Sequence, residues 1–205
     1  VQGQQVQMEY LKNCKVYILD EVDSITVDDC EDTEIIIAAC EGSIFLRTCK
    51  NCVVTAACKQ LRTRDCEHLD IRLFAGTDPV IESSHDIAFR PFNLKAPNLI
   101  KNFKEARLDP KVNRFPHVYD FTSEDPKIPK PHLVLKYPEH DLQMVSVGAQ
   151  FGTPECPPEI VDLLEYRMEP AASSESGQNK SYNIKTGAKQ WQEMANAEEE
   201  EEEKP

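Results

Sequence analysis

The chain has 205 residues, a length that suits one domain of ordinary size together with a tail. Its formal net charge of −13 argues against nucleic acid as a partner, because binding to phosphates requires a basic face. No stretch approaches the ~20 apolar residues that span a bilayer, and the N-terminus has no signal-peptide pattern, so we expect a cytosolic protein without a transmembrane segment. The sequence begins at Val1 rather than at methionine, which we interpret as a processed chain or part of a longer one.

A repeat of short β-rich runs extends from about residue 13 to residue 92, after a polar N-terminal segment that we predict to be a first strand. Its markers are Cys14, Cys30, Cys49, Cys66 and Ser84, at intervals of 16, 19, 17 and 18 residues. IIIAAC ending at Cys40 also aligns with VVTAAC ending at Cys58. Runs rich in Val, Ile and Thr that are too short for helices are typical of a parallel β-solenoid, in which coil stacks on coil. The sequence therefore predicts an all-β solenoid.

The eight cysteines allow three interpretations: disulfides, a zinc site, or small apolar side chains in a core. Disulfides are not expected in a reducing cytosol. Cys49 and Cys52 form the single C-x-x-C, whereas a structural zinc site requires a second close pair. Residues that recur once per coil stack on one another, so we predict an inward ladder of reduced thiols and no metal.

The C-terminal half of the sequence predicts segments that pack on the solenoid. Residues 96–106 read as a short helix that closes the last coil, and the proline-rich residues 108–137 as an extended segment along the outside. Residues 141–151 can form one more strand, and residues 157–168 an amphipathic helix. We divide the chain into a β-helix domain (1–137), an extension with a short helix (138–170) and an acidic tail (171–205). The tail either only aids solubility or anchors a partner through its few apolar residues.

Two segments of the repeat, TAACKQLRTRDC at 55–66 and PVIESSHDIAF at 79–89, resemble the tubulin-binding cofactor C domain family (C-CAP/cofactor C-like). The resemblance covers roughly residues 3 to 122. It implies a right-handed parallel β-helix that regulates Arf-like small GTPases of cilia and the tubulin-folding pathway. The implied location is the cytoplasm and the cilium or flagellum, at the basal body or axoneme, with tubulin or axonemal proteins as further partners.

The family motif Q-x-R-x-R matches Gln60, Arg62 and Arg64. The resemblance implies that Arg62 enters the nucleotide site of the GTPase as an arginine finger, and that Gln60 and Glu82 assist it. Arg64 and Phe121 then belong to the partner-binding surface. GTP and Mg²⁺ would be bound by the partner GTPase, so the chain needs no cofactor and is a GTPase activator rather than an enzyme with its own active site.

The residue pattern permits this role without requiring it. Gln60, Arg62 and Arg64 alternate along a strand, so they share one outward face. We expect Glu82 on the next coil near Arg62, where the two can pair. The plain alternatives are a solvated, ion-paired surface for the arginines, a surface charge for Glu82 and a packed aromatic for Phe121.

Two other functional classes remain as alternatives. The first is a non-catalytic structural or docking module in a ciliary axoneme assembly. The second is an enzyme with its own active site, which is disfavoured because the five histidines are scattered and the seven glycines form no phosphate-binding loop.

Overall fold

The computed structural model describes residues 3–121, 132–134 and 143–168. In these ranges the chain forms a parallel β-solenoid with two short helices, which confirms the predicted fold class. Neither helix is long and apolar enough to cross a membrane. The strands are β1 Gln5–Glu9, β2 Lys15–Val22, β3 Ser24–Asp28, β4 Glu34–Arg47, β5 Val53–Arg64, β6 Glu67–Ala75, β7 Val80–Glu82, β8 His85–Pro91, β9 Leu94–Lys95, β10 Tyr119–Asp120, β11 His132–Val134 and β12 Val145–Ser146; the helices are α1 Leu99–Glu105 and α2 Pro158–Met168, and a single 3₁₀ turn covers Ala149–Phe151. The predicted tail (171–205) lies outside the described residues.

The middle coils stack in the register that the repeat predicts. Cys40 lies beside Cys58, and Ile44 beside Leu61. The N-terminal part of β5 pairs with β6 and its C-terminal part with β7, so one long strand bends through two sides of its coil. The predicted first strand is confirmed as β1, which pairs in parallel with β3.

Each coil turns a sharp corner that contains two residues with left-handed backbone conformation. In the coil that contains β5 these residues are Asp65 (φ 53°) and His68 (φ 54°). Asp and Asn, which tolerate this conformation better than most residues, hold several of the equivalent positions. The first column of corner residues is Tyr10, Asp29, Thr48, Asp65 and Ser83, and the second is Asn13, Asp32, Asn51, His68 and Asp86.

The residue that follows each left-handed position is inward and, in most coils, is Cys, Ser or Thr. Its side chain donates to the carbonyl two residues earlier: Cys49 to Arg47 at 3.3 Å, Cys66 to Arg64 at 3.3 Å and Ser84 to Glu82 at 2.8 Å. The same bond is made by Cys14, Cys30, Thr33 and Cys52. These side chains therefore hold each corner from inside.

The thiol ladder is confirmed for Cys30, Cys49 and Cys66, with Ser84 stacked next, but the prediction is wrong for Cys14, which lies in the neighbouring column of the corner. Lys12 pairs with Glu31, so Leu11 underlies Cys30, while the N–H of Cys14 donates to Thr33 Oγ1 at 3.4 Å. The 16-residue interval therefore joins the two different columns of one corner. All eight cysteines are free, and burial raises the pKa of Cys40 to about 12 and that of Cys52 to about 11.

The helix α1 packs against the side of the solenoid rather than closing its last coil, which corrects the predicted position. The Phe103 ring contacts that of Phe74 at a centroid distance of 5.0 Å, and Asn102 Nδ2 donates to Leu19 O at 2.7 Å in the first coil. Outward alanines, including Ala38 and Ala57, leave room for the helix. The predicted C-terminal helix is confirmed as α2, whose Ile160 and Leu164 join the same apolar cluster.

The last coil is extended by the segment that we predicted to run along the outside. Tyr119 pairs in parallel with Val80, and β11 pairs with β8. Phe115 is buried in the interior cluster. The predicted extra strand near residue 145 is confirmed as β12, beside β9. The described strands of this part of the chain therefore extend the solenoid, and their two- and three-residue pairings are too short to be recognised in the sequence.

Candidate functional site

The predicted site lies on one side of the solenoid, which we call the site face. It consists of β1, β3, the C-terminal parts of β4 and β5, β7 and β10, paired in that order. Along β5 the buried residues Leu61 and Thr63 alternate with Gln60, Arg62 and Arg64, as the period of a strand requires. The two inward side chains fix the strand, so the three predicted residues share its outer surface.

Arg62 differs from its neighbouring arginines in having no carboxylate partner within the described residues. Arg47 is held by Asp28 through two hydrogen bonds of 2.6 Å each, and Arg64 lies 3.3 Å from Asp65. The exposed Arg62 instead lies over the ring of Phe45, its in-register neighbour, with 5.3 Å between the guanidinium carbon and the ring centroid. Stacking on an aromatic face orients a guanidinium while leaving its N–H donors available.

Glu82 does not lie where we expected it. It is in register with Arg64, whereas the neighbour of Arg62 on the next coil is Val80. In the described part of the chain, no ion pair joins Glu82 to either arginine. The backbone carbonyl of Glu82 accepts from the N–H of Asp65 at 3.2 Å. The expected pairing of Glu82 with Arg62 is therefore wrong. In-register residues of these two coils are 18 residues apart, whereas Glu82 follows Arg62 by 20 residues.

An open groove of about 710 Å³ brings together three of the five predicted residues, Gln60, Arg62 and Phe121. Phe121 is not a packed core aromatic: it is 59% exposed, and its ring lies 4.5 Å from that of Tyr119, which is 57% exposed. The groove thus combines two exposed aromatic rings with a guanidinium that no carboxylate of the described residues holds. Arg64 and Glu82 are not among its lining residues.

Several residues of this groove escaped the sequence reasoning. Arg114 Nε donates to Asp78 at 2.7 Å, and this hydrogen bond lowers the pKa of the Asp78 carboxyl. Tyr119 lines the groove and is in register with Val80, the neighbour of Arg62. Phe45, which is not a lining residue, contacts the guanidinium of Arg62 through its ring. The two-residue spacing of Tyr119 and Phe121 was the available sequence signal, since it places both rings on one side of a strand.

A family model described as Tubulin binding cofactor C matches residues 3–121, which include the whole site face and every predicted site residue. The chain belongs to this family. The predicted resemblance is therefore confirmed, and the matched range ends at Phe121, the last residue of the groove.

Relatives of this cofactor C family chain agree with the assignment. Protein XRP2 of Danio rerio is 32% identical over 160 residues, which cover 73% of this chain and 43% of that protein. Protein XRP2 of Mus musculus is 43% identical over 122 residues, covering 60% and 35%. Tubulin-specific chaperone C of Mus musculus is 25% identical over 139 residues, covering 67% and 41%. The chain thus spans about two fifths of the length of these relatives.

A solved structure of Tubulin Binding Cofactor C from Leishmania major has the same fold. It superposes with a TM-score of 0.51 at 22% identity, over 68% of this chain and 94% of that chain. Within the described residues of the cofactor C family chain, no group of three or more His, Cys, Asp or Glu side chains could hold a metal ion.

Proposed function

We propose that this cofactor C family chain is a GTPase-activating regulator of an Arf-like small GTPase in ciliary trafficking, and that Arg62 acts as an arginine finger in trans. The observation that carries the proposal is the state of Arg62. Its guanidinium is exposed, has no carboxylate partner among the described residues and lies over Phe45. A finger must offer its N–H donors to phosphate, and an arginine held by a carboxylate cannot do so without first breaking that pair.

The chemistry of GTP hydrolysis explains what such a residue contributes. Negative charge spreads over the γ-phosphate oxygens in the transition state, and a guanidinium supplied by a second protein stabilises it, which is worth roughly 10³ to 10⁵ in rate. In this proposal the GTPase binds GTP and Mg²⁺ and positions the attacking water. The chain contributes Arg62, with Gln60 beside it on the same strand.

The exposed aromatic pair supports binding of the GTPase at the same groove. Tyr119 and Phe121 are of the residue types that anchor protein interfaces, and they line the groove with Arg62. We assign Arg64 to the rim of this interface, because it is the next outward residue after Arg62 on β5. Glu82 joins the rim beside Arg64 rather than acting on Arg62.

Single-turnover hydrolysis by GTP-loaded Arf-like GTPases tests the finger. We expect Arg62→Ala to return the stimulated rate to the intrinsic one, and Arg62→Lys to restore little because an ammonium lacks the planar fork. Arg107→Ala is the matched control, since Arg107 pairs with Glu41 on the side of the solenoid where α1 packs. Equal rates for the unmodified chain and Arg62→Ala would refute the finger, provided both bind the GTPase equally.

A second candidate is a non-catalytic docking module for tubulin or another axonemal protein. The two exposed aromatic rings favour it, since they can anchor a partner without nucleotide chemistry. Relatives named Tubulin-specific chaperone C point to tubulin as the first partner to test. Binding that is insensitive to the nucleotide state of any GTPase, abolished by Tyr119→Ala with Phe121→Ala and unaffected by Arg62→Ala, would select this candidate.

A further inference from the structure

In the part of the chain that the structure describes, the strands of the first coil have a free edge at the end of the solenoid opposite to β10 and β11. Within the described residues, β1 pairs only with β3, and β2 pairs only with β4. One edge of each first-coil strand therefore carries backbone N–H and C=O groups without a strand partner in this part of the chain. Such an edge is a template for an added strand.

The interior of the first coil is also incompletely covered. Val16 and Ile18 point inward but are only half-buried. The residues stacked on them in the next coil, Ile35 and Ile37, are 1% and 0% exposed. The difference is the apolar surface that one further strand would remove from water, and solenoids need such a cover at their ends.

Charges at the corner specify the kind of strand that fits. Lys12, Glu31, Lys50 and Glu67 form a ladder of alternating sign, with Lys12 2.7 Å from Glu31 and Lys50 3.0 Å from Glu67. Lys50 lies in register between two glutamates, whereas Lys12, at the free edge, has a glutamate on one side only among the residues that the structure describes. Continuing the alternation would place an acidic residue against Lys12.

A second lysine shows the same asymmetry. Lys15 lies 2.9 Å from Glu34, and both Lys15 and Lys12 have largely exposed side chains (71% and 60%). A second copy of the chain is a poor occupant, because two first coils placed face to face would bring these lysines together. An extended segment with acidic residues three apart has the complementary charge.

We propose that the first coil binds an acidic, extended segment of a partner protein, which adds to β2 as a parallel strand. Its acidic residues lie opposite Lys12 and Lys15, and its apolar residues lie opposite Val16 and Ile18. Backbone hydrogen bonds provide the affinity, and the two lysines select the sequence and register. This surface is two coils away from β5 and does not depend on the finger role of Arg62.

The chain itself contains the sequence of a suitable probe. Residues 31–37, EDTEIII, pair with the other edge of β2 and place Glu31 and Glu34 against Lys12 and Lys15. A fluorescent peptide with this sequence and flanking Gly-Ser residues should bind the full chain saturably in an anisotropy titration. The same peptide with both glutamates replaced by lysine should bind at least tenfold more weakly.

Charge reversal makes the test reciprocal. The variant Lys12→Glu with Lys15→Glu should lose the acidic peptide and gain the lysine peptide, a result that misfolding cannot produce. Lys59→Glu with Lys104→Glu changes the net charge equally at other surfaces and should keep the original preference. Equal binding of both peptides by the unmodified chain, no saturable binding, or an unchanged preference after Lys12 and Lys15 are reversed would overturn the proposal.

Hydrogen exchange distinguishes a partner site from an edge that the chain covers by itself. The backbone amides of β2 that point to its free edge should exchange faster than those of β4 in the unmodified chain. Their exchange rate should fall at least tenfold when the acidic peptide binds. Protection of these amides equal to that of β4 without peptide would show that another segment of the chain already covers them, and the proposal would fail.

Discussion

Substitution of Ser84 tests whether the inward side chains stabilise the corners of the solenoid. Ser84 is 1% exposed, and its hydroxyl donates to Glu82 O at 2.8 Å. The same oxygen accepts from the N–H of Cys66 at 3.1 Å and lies 3.3 Å from Thr63 Oγ1. Ser84→Ala removes this oxygen and leaves the buried N–H of Cys66 without its acceptor.

The expected loss follows from the buried donor. Leaving such a group without a partner costs about 1–3 kcal/mol, and the Thr63 hydroxyl loses a neighbour as well, so we expect the free energy of unfolding to fall by about 2–3 kcal/mol. Ser84→Cys keeps a donor and a weak acceptor, and cysteine holds the same position in the preceding coil, so its loss should be less than half as large. Urea denaturation followed by circular dichroism measures both. A loss below about 0.5 kcal/mol for Ser84→Ala, or equal losses for the two variants, would refute the proposed role of these side chains.

Three further predictions address the site, the thiols and the corner charges. Phe45→Leu removes the ring under Arg62, a contact worth about 0.5–1 kcal/mol, so single-turnover GTP hydrolysis should slow about two- to fivefold if Arg62 is a finger; no change would exclude orientation by the ring. Cys14, the one cysteine that is not buried, should react first with N-ethylmaleimide, and mass spectrometry of Cys14→Ser should show no fast-reacting thiol. The hydrogen bond from Lys50 lowers the pKa of the Glu67 carboxyl, so its stabilisation is complete above the ordinary glutamate pKa of about 4.3 and is lost as the pH falls through the lowered value. Lys50→Met should therefore flatten the acid limb of stability against pH, and an unchanged limb would contradict this.

The repeat could be recognised in the sequence because buried residues recur at a regular spacing along the chain. Alternation placed Gln60, Arg62 and Arg64 on one outer surface, and this needed only the geometry of a strand. Position along the solenoid was harder, because a corner carries two inward positions, three residues apart. Cys14 was therefore matched to Cys30 although it lies beside Thr33.

Contacts between segments that are distant along the chain produce no such regular pattern in the sequence. The ring of Phe45 under Arg62 and the pairing of Arg114 with Asp78 depend on how coils align and on a proline-rich segment with very short strands. Glu82 shows the size of the error that results: we expected it near Arg62, and it lies in register with Arg64, two residues farther along the strand. Sequence gives the period of a solenoid readily, whereas its register depends on corner conformations that only the backbone reveals.

The corners bear on the proposed role of Arg62, since an arginine finger is more often expected on a loop than on a strand. Arg62 lies between Leu61 and Thr63, both buried, and the corner after Arg64 is held from inside by Cys66. The backbone is thus ordered on folding, so binding a GTPase would require ordering of the side chain alone. Phe45 reduces that remaining cost by giving the guanidinium a surface to lie on. If Arg62 is the finger that we propose, activation should be lost when the interior beneath it is loosened, even if no residue of the groove is changed.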